Sequence, residues 1–170
     1  RFLQVHEMDQ ARVAAAIARS TDRSLLFVNT KRQADRVARE LSKLGIQAKA
    51  IHGDLRQEQR EKALKRFSDG SLPVLVATDV AARGLDIDDL EVVIHYDPAP
   101  DHKTYLHRSG RTARAGATGV AATLVLWNQE LDIRRLKRRL ALDEPLVEVF
   151  SNDSRLADLS SWDAVLEQAN

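Results

Sequence analysis

The decapeptide His107-Arg108-Ser109-Gly110-Arg111-Thr112-Ala113-Arg114-Ala115-Gly116 sets Arg108, Arg111 and Arg114 at three-residue spacing in a glycine-punctuated turn. A guanidinium is planar, permanently charged and forked, and it meets phosphoryl oxygens two at a time. Arginines so spaced suit the gripping of a polyphosphate from outside its site. The same pattern also serves as a solvated basic helix face, the usual fate of surface cations.

A second constellation is Ala77-Thr78-Asp79-Val80-Ala81-Ala82-Arg83-Gly84-Leu85-Asp86-Ile87, an apolar run entering a turn of small residues. Small residues let backbone amides approach an anion, and a helix N-terminus presents unpaired N–H groups to it. Gly84 would give close approach, and the Asp86 carboxylate suits a pair of ribose hydroxyls. The alternative is a helix cap followed by an exposed acidic loop. Three further segments punctuate the chain: Asn29-Thr30, His52-Gly53-Asp54 with Arg60 beyond it, and Asp97-Pro98. Thr30 can cap a helix and also offer its hydroxyl to a phosphate. Gly53 serves either a tight turn, through its permissive backbone, or close approach to a ligand. Arg60, taken alone, is a solvated cation.

The elements that must position these residues follow from the hydrophobic pattern. Phe2–His6, Ser24–Asn29, Ile46–Ile51, Pro73–Thr78, Val92–Tyr96 and Gly119–Leu126 are short apolar runs, the signature of strands covered on both faces. Between them lie helical segments: Gln10–Arg19, Thr30–Leu44 stopped by Gly45, a helix opened by an Asp54/Gln57 capping box and ending near Gly70, and a short helix over Asp101–Ser109. Strand and helix alternating at this spacing predict an α/β fold, with right-handed crossovers and a mainly parallel central sheet between helical layers. Ligands of such sheets collect at the carboxyl ends of the strands, where Thr30, Gly53, Thr78 and Asp97 fall.

Composition narrows the classes. With 170 residues, 44% hydrophobic and 30% charged, the chain can bury one adequate core. It has no cysteine, which removes disulfides and thiolate metal sites and fits a reducing compartment; cytoplasm is the expectation. No apolar run approaches the roughly 18 residues of a membrane span, so no membrane association is expected. The formal charge of +1 makes any nucleic-acid surface a local patch rather than a general basic coat. Aromatic content of 5% gives no base-stacking platform, so contacts to nucleic acid should go to the backbone. The chain opens without methionine inside a strand, and reads as a piece of something longer. Helix Gln129–Leu142 carries a basic cluster, Arg134 to Arg139, readable as a solvated face or as auxiliary attraction for RNA. Residues 1–146 are expected to form the main domain and 147–170 an extension with a helix around Trp162–Gln168.

Several motifs are missing. No Gly-x-x-x-x-Gly-Lys-Ser/Thr occurs, so the chain carries no phosphate-cradling P-loop. The five histidines have no metal-ligand spacing, the Asp86-x-Asp88-Asp89 cluster lacks the rest of an EF-hand, and no Gly-x-Ser-x-Gly elbow is present.

Taken in order, the motifs resemble those of the C-terminal RecA-like domain of DEAD-box RNA helicases, in helicase superfamily 2. Phe27-Val28-Asn29-Thr30-Lys31 is similar to the family's motif IV, and His52-Gly53-Asp54-x-x-Gln57-x-x-Arg60 to its Gln-x-x-Arg segment. Ala77-Thr78-Asp79-x-x-x-Arg83-Gly84-x-Asp86 resembles motif V, and His107-Arg108-x-Gly110-Arg111-x-x-Arg114 motif VI. The resemblance implies a RecA-like three-layer sandwich that shares ATP with an N-terminal RecA-like domain of the same polypeptide. That absent domain would carry the P-loop and most of the magnesium ligands. It further implies Arg111 and Arg114 as arginine fingers, Gly84 and Asp86 at the ATP ribose, His107 and Arg108 at the nucleotide, and Thr30, Gly53, Arg60 and Thr78 on the RNA backbone. The isolated chain would then be inactive. The family usually has glycine where this chain has Ala113, which bears on the aim of Arg114. A superfamily 2 DNA helicase half, or a non-catalytic RNA-binding module, are the other readings of the same residues.

Overall fold

The computed structural model of the chain describes residues 1–112 and 119–169. Its strands are β1 (Phe2–Gln4), β2 (Ser24–Val28), β3 (Ala48–Ile51), β4 (Val74–Thr78), β5 (Val92–His95), β6 (Val120–Val125) and β7 (Leu146–Glu148). Helices are α1 (Gln10–Arg19), α2 (Lys31–Lys43), α3 (Gln57–Ser68), α4 (Asp79–Ala82), α5 (His102–Ser109), α6 (Glu130–Arg139) and α7 (Ala164–Ala169). The strands form one seven-stranded sheet in the order β3-β4-β2-β5-β6-β1-β7, and every pairing is parallel. This is the α/β sandwich expected.

The inner strands alternate their side chains between two buried faces. Leu26 and Val28, with Val74, Val76, Ile94 and Leu124, face α1 and α2, where Val13, Ile17, Val37 and Leu41 meet them. Leu25 and Phe27, with Leu75, Ala77 and Val93, face Phe67 of α3 and Ala81 and Ala82 of α4. Farther along that second face, Phe2 and Val125 pack with Tyr105 of α5 and Ile133 and Leu136 of α6. Burial on both faces explains why the strands read as continuous apolar runs rather than alternating ones.

Local signals account for most helix ends. Thr30 Oγ1 accepts the Gln33 N–H at 3.1 Å and Asp101 Oδ1 the Thr104 N–H at 2.8 Å. That backbone bond holds the Asp101 carboxyl below the usual carboxylate range. Gly45 takes φ +86°, the left-handed C-terminal position foreseen after α2. The expected Asp54/Gln57 capping box is not formed. Residues 52–55 turn instead, with the Leu55 N–H on the His52 carbonyl at 3.2 Å, and α3 starts at Gln57 behind Arg56. Gln59 Oε1 accepts the Arg56 N–H at 3.4 Å. Asp54 is left outside the helix, where Lys31 Nζ lies 3.0 Å from its carboxylate and lowers its pKa.

β7 crosses residue 147, where the sequence reading divided domain from extension. It pairs Leu146, Val147 and Glu148 with Phe2, Leu3 and Gln4 of β1. Beyond it, Val149, Leu156, Leu159, Trp162 and Ala164 join the core beside α1. Arg155 lies over the Trp162 ring at 4.5 Å, and the Trp162 indole N–H donates to Glu167. Trp162→Ala is therefore expected to cost about 3 kcal/mol or more of folding stability, read as a lower urea midpoint at constant slope; an unchanged midpoint would show that the segment beyond β7 only rests on the domain.

Candidate functional site

Because all strands run in the same direction, the segments after β3, β4, β2 and β5 stand side by side at one edge of the sheet. His52 to Asp54, Thr78 and Asp79, Asn29 and Thr30, and Asp97 form a continuous rim. It is cross-linked: Lys31 reaches Asp54, and Asp97 accepts the Asn29 backbone N–H at 2.9 Å and the Gln33 amide at 3.4 Å. His52, buried, is held by Asp35, whose carboxylate lies 2.9 Å from Nε2.

At the centre of the rim lies Arg108, on α5 and only 1% exposed. Its Nε and Nη2 donate to the two carboxylate oxygens of Asp79 at 2.7 and 2.8 Å, a bidentate pair. Nη1 donates to the Asp97 carbonyl at 2.6 Å and Nη2 also to Asn29 Oδ1 at 2.8 Å. The guanidinium carbon sits 5.2 Å from the centroid of the Phe27 ring. Arg108, expected at the nucleotide, lines the cleft that also holds His107 and Arg111. Its donors are spent on the ends of β2, β4 and β5, and the side chain has almost no solvent access. Asp79, Asp97 and Phe27 are the functional partners that sequence reasoning left without a role. A buried arginine requires a carboxylate, and Asp79 and Asp97 were the acids already standing on the rim.

Arg111 behaves differently. Half-buried, it donates from Nη2 to the Ala82 carbonyl at 2.9 Å and from Nη1 to the carbonyls of Leu85 and Ile87 at 2.6 and 3.4 Å. Those last two residues bracket Asp86, which is exposed. Arg111 thus holds the backbone on either side of Asp86. Two residues before Asp86, Gly84 takes φ +85°, a conformation that side chains rarely adopt, so glycine is required there by the backbone. His107 is exposed on α5. Arg83, His107, Arg108 and Arg111 line a cleft of about 430 Å³ together with Phe27, Leu85, Asp79 and Asp88. Its cationic lining suits a polyphosphate. Arg114 and Ala113 lie outside the described residues.

The residues expected on RNA divide. Thr30 and Gly53 are exposed, and Arg60 is half-buried with Nη2 on the Ala81 carbonyl at 3.0 Å. Gly53 does not need glycine's conformational freedom, because its φ is not positive; an added Cβ would meet only the Lys31 side chain at 3.5 Å. Close approach is the use left to it. Thr78 is 7% exposed and its hydroxyl accepts the Ala81 N–H at 3.4 Å. From the rim its side chain caps α4, as that of Thr30 caps α2. Among the described residues no group of three or more His, Cys, Asp or Glu side chains could hold a metal ion, and no helix is long and apolar enough to cross a membrane.

Comparison with known proteins identifies the family and the fold. The helicase conserved C-terminal domain family matches residues 9–116. The chain belongs to that family. It is 38% identical to the ATP-dependent RNA helicase CshA of Listeria monocytogenes, over 98% of this chain and 34% of that protein. It thus spans about a third of this curated relative's length. Among solved structures, the E. coli DEAD-box protein SrmB, bound to regulator of ribonuclease activity A, superposes with a TM-score of 0.77 at 33% identity, covering 92% of each chain. S. cerevisiae Dbp5 bound to RNA and ADP BeF3 gives a TM-score of 0.80 at 29% identity, over 94% of this chain and 44% of that one. As a helicase C-terminal domain, the chain has the RecA-like architecture of the second domain of DEAD-box proteins.

Behind Arg108, β5 carries His95, fully buried between Phe27 and Tyr105, with neither ring nitrogen hydrogen-bonded among the described residues. Burial, and then the charge of Arg108, push its pKa well below the usual value of 6.5. The unfolded chain binds a proton near 6.5 and the folded one does not, so this residue's contribution to stability is complete above that pH and declines below it. Urea unfolding should show about 1.4 kcal/mol lost per pH unit below about 6.5, a slope absent in His95→Phe; equal slopes in the two proteins would refute it. Arg108→Ala should cost about 3 kcal/mol, the lower end of the range for a broken buried pair because the Asp79 side chain keeps 24% exposure; a loss under about 1 kcal/mol would mark the pair as dispensable.

Proposed function

We propose that this chain is the second RecA-like domain of an ATP-dependent RNA helicase, and that it completes an ATP site held chiefly by an N-terminal RecA-like domain of the same polypeptide. The observation that carries the reading is the hold of Arg111, at the cleft, on the Leu85 and Ile87 carbonyls that flank the exposed Asp86, two residues after Gly84. The printed names of its relatives, ATP-dependent RNA helicases, and a structural neighbour bound to RNA and ADP BeF3 support it.

Arg111 and Arg114 act as arginine fingers toward the transferred phosphoryl group, where such fingers raise rates by roughly 10³ to 10⁵. ATP supplies the phosphoanhydride whose hydrolysis drives the cycle, with magnesium ligated mainly by the other domain. Asp86 accepts from the ribose hydroxyls and Gly84 gives close approach. His107, exposed beside the cleft, faces the partner domain. Arg111 begins on the carbonyls of Ala82, Leu85 and Ile87, so reaching an anion requires it to release the carboxyl end of α4. Arg108 stands at the nucleotide side of the cleft and positions α5 by its bonds to Asp79 and Asp97.

Thr30, Gly53, Arg60 and Thr78 hold the RNA sugar-phosphate backbone without reading its sequence. Thr78 also contributes as the cap of α4, whose penultimate and last carbonyls carry Arg60 and Arg111. Closure of the two domains on ATP and RNA bends the bound strand and parts a duplex. Loss of phosphate reopens the cleft, as ligand binding selects the closed state. The cytoplasm is the proposed location.

RNA-stimulated ATP hydrolysis by the full-length protein is the test. Arg111→Ala should lower turnover by about 10³ or more while sparing most of the RNA affinity, and the purified 170-residue chain alone should show no turnover above background. Unchanged hydrolysis in Arg111→Ala would reject its role, and turnover by the isolated chain would reject the shared site.

A further inference from the structure

The edge strand β3 is paired with β4 alone, which leaves its other backbone edge open. α2 and α3, on opposite faces of the sheet, flank that edge and make it the floor of a groove of about 670 Å³. Cations line it throughout: Arg39 and Lys43 from α2, Lys62 and Arg66 from α3, and Lys49 from β3 itself. The one acid in the lining is Asp35, and it is already bonded to His52. Arg39, Lys43, Lys49 and Lys62 are exposed, and no ion pair among the described residues neutralises them. In a chain of formal charge +1, this is a concentrated positive field. The bottom of the groove is small and aliphatic, with Ala38, Ala48 and Ala63.

We propose that this groove takes an extended acidic peptide, which adds to β3 as a further strand and sets its carboxylates against the cations of α2 and α3. An open strand edge supplies N–H and C=O groups that another peptide backbone matches. Successive residues of an added strand point to opposite faces, so acids on both faces meet cations, one set on each helix. RNA is the weaker fit. A phosphodiester chain cannot complete the backbone ladder, and the groove has no aromatic ring on which a base could stack. The lysines and arginines also guard an otherwise bare edge against neutral strands, which makes the slot selective for charge.

The test uses the full-length protein and a fluorescein-labelled peptide of alternating Glu-Glu and Val-Val pairs, followed by anisotropy and by amide hydrogen exchange. Saturable binding is expected, with slowed exchange across residues 48–51 and affinity at least about tenfold weaker in the double variant Arg39→Glu, Lys62→Glu. Should reversal disturb folding, judged by circular dichroism, Arg39→Gln with Lys62→Gln replaces it, again with weaker binding expected. The proposal fails if the wild-type protein does not bind the peptide, if the variants bind it equally well, or if β3 exchange does not slow. It fails too if a short oligouridylate displaces the peptide and itself loses affinity in the same variants, which would make the groove a phosphate-backbone surface.

Discussion

The bidentate pair between Arg108 and Asp79 is the contact on which the arrangement of the rim depends. Taking a guanidinium out of water costs several kcal/mol, and the cost is offset only where its donors are met by well-placed acceptors. Here the acceptors come from the ends of β2, β4 and β5 at once, through Asn29, Asp79 and the Asp97 carbonyl. A shift of any one strand along its axis would strand a buried charge. The pair is therefore best understood as a device for register, which fixes where α5 ends and hence where Arg111 begins.

α4 shows how this constraint passes outward. The helix has only four residues, too few to be stable alone, yet each of its ends is held by side chains from other elements. Asp79, at its start, takes Arg108, and the Thr78 hydroxyl caps it. At its end the Ala81 carbonyl accepts from Arg60 and the Ala82 carbonyl from Arg111, cations placed where the helix dipole favours them. One short helix thus touches the arginine assigned to RNA, the arginine assigned to the nucleotide, and the buried anchor. Gly84, by its positive φ, then turns the chain so that Leu85 and Ile87 offer their carbonyls to Arg111.

Much of this was legible in the residues. The apolar runs named the inner strands because parallel strands buried on both faces need no alternation, and Thr30, Gly45 and Asp101 marked helix ends by their own side-chain or backbone chemistry. β7 escaped notice because it has three residues, half-buried or exposed, and is defined by its pairing with β1 rather than by its composition. The role of Arg108 escaped for a different reason. Its carboxylate partner is 29 residues away, and only the strand order brings them together. Local pattern gives residue types at a rim; it does not give which of several arginines is turned inward. Asp54 illustrates the converse error, a correct capping spacing overruled by a turn that delays the helix.

The placement of β2 explains why inward and outward arginines can coexist three residues apart. β2 lies between β4 and β5, and all five of its residues are buried. Its side chains alternate strictly: Leu25 and Phe27 toward α3 and α4, Leu26 and Val28 toward α1 and α2. A slip of one residue would exchange those faces. Phe27 would leave the guanidinium it underlies, and Asn29 would no longer reach it. Fixed register in this central strand thus fixes the floor beneath Arg108. With that floor set, Arg108 is enclosed, and the next arginine on the same turn is left half-buried at the cleft.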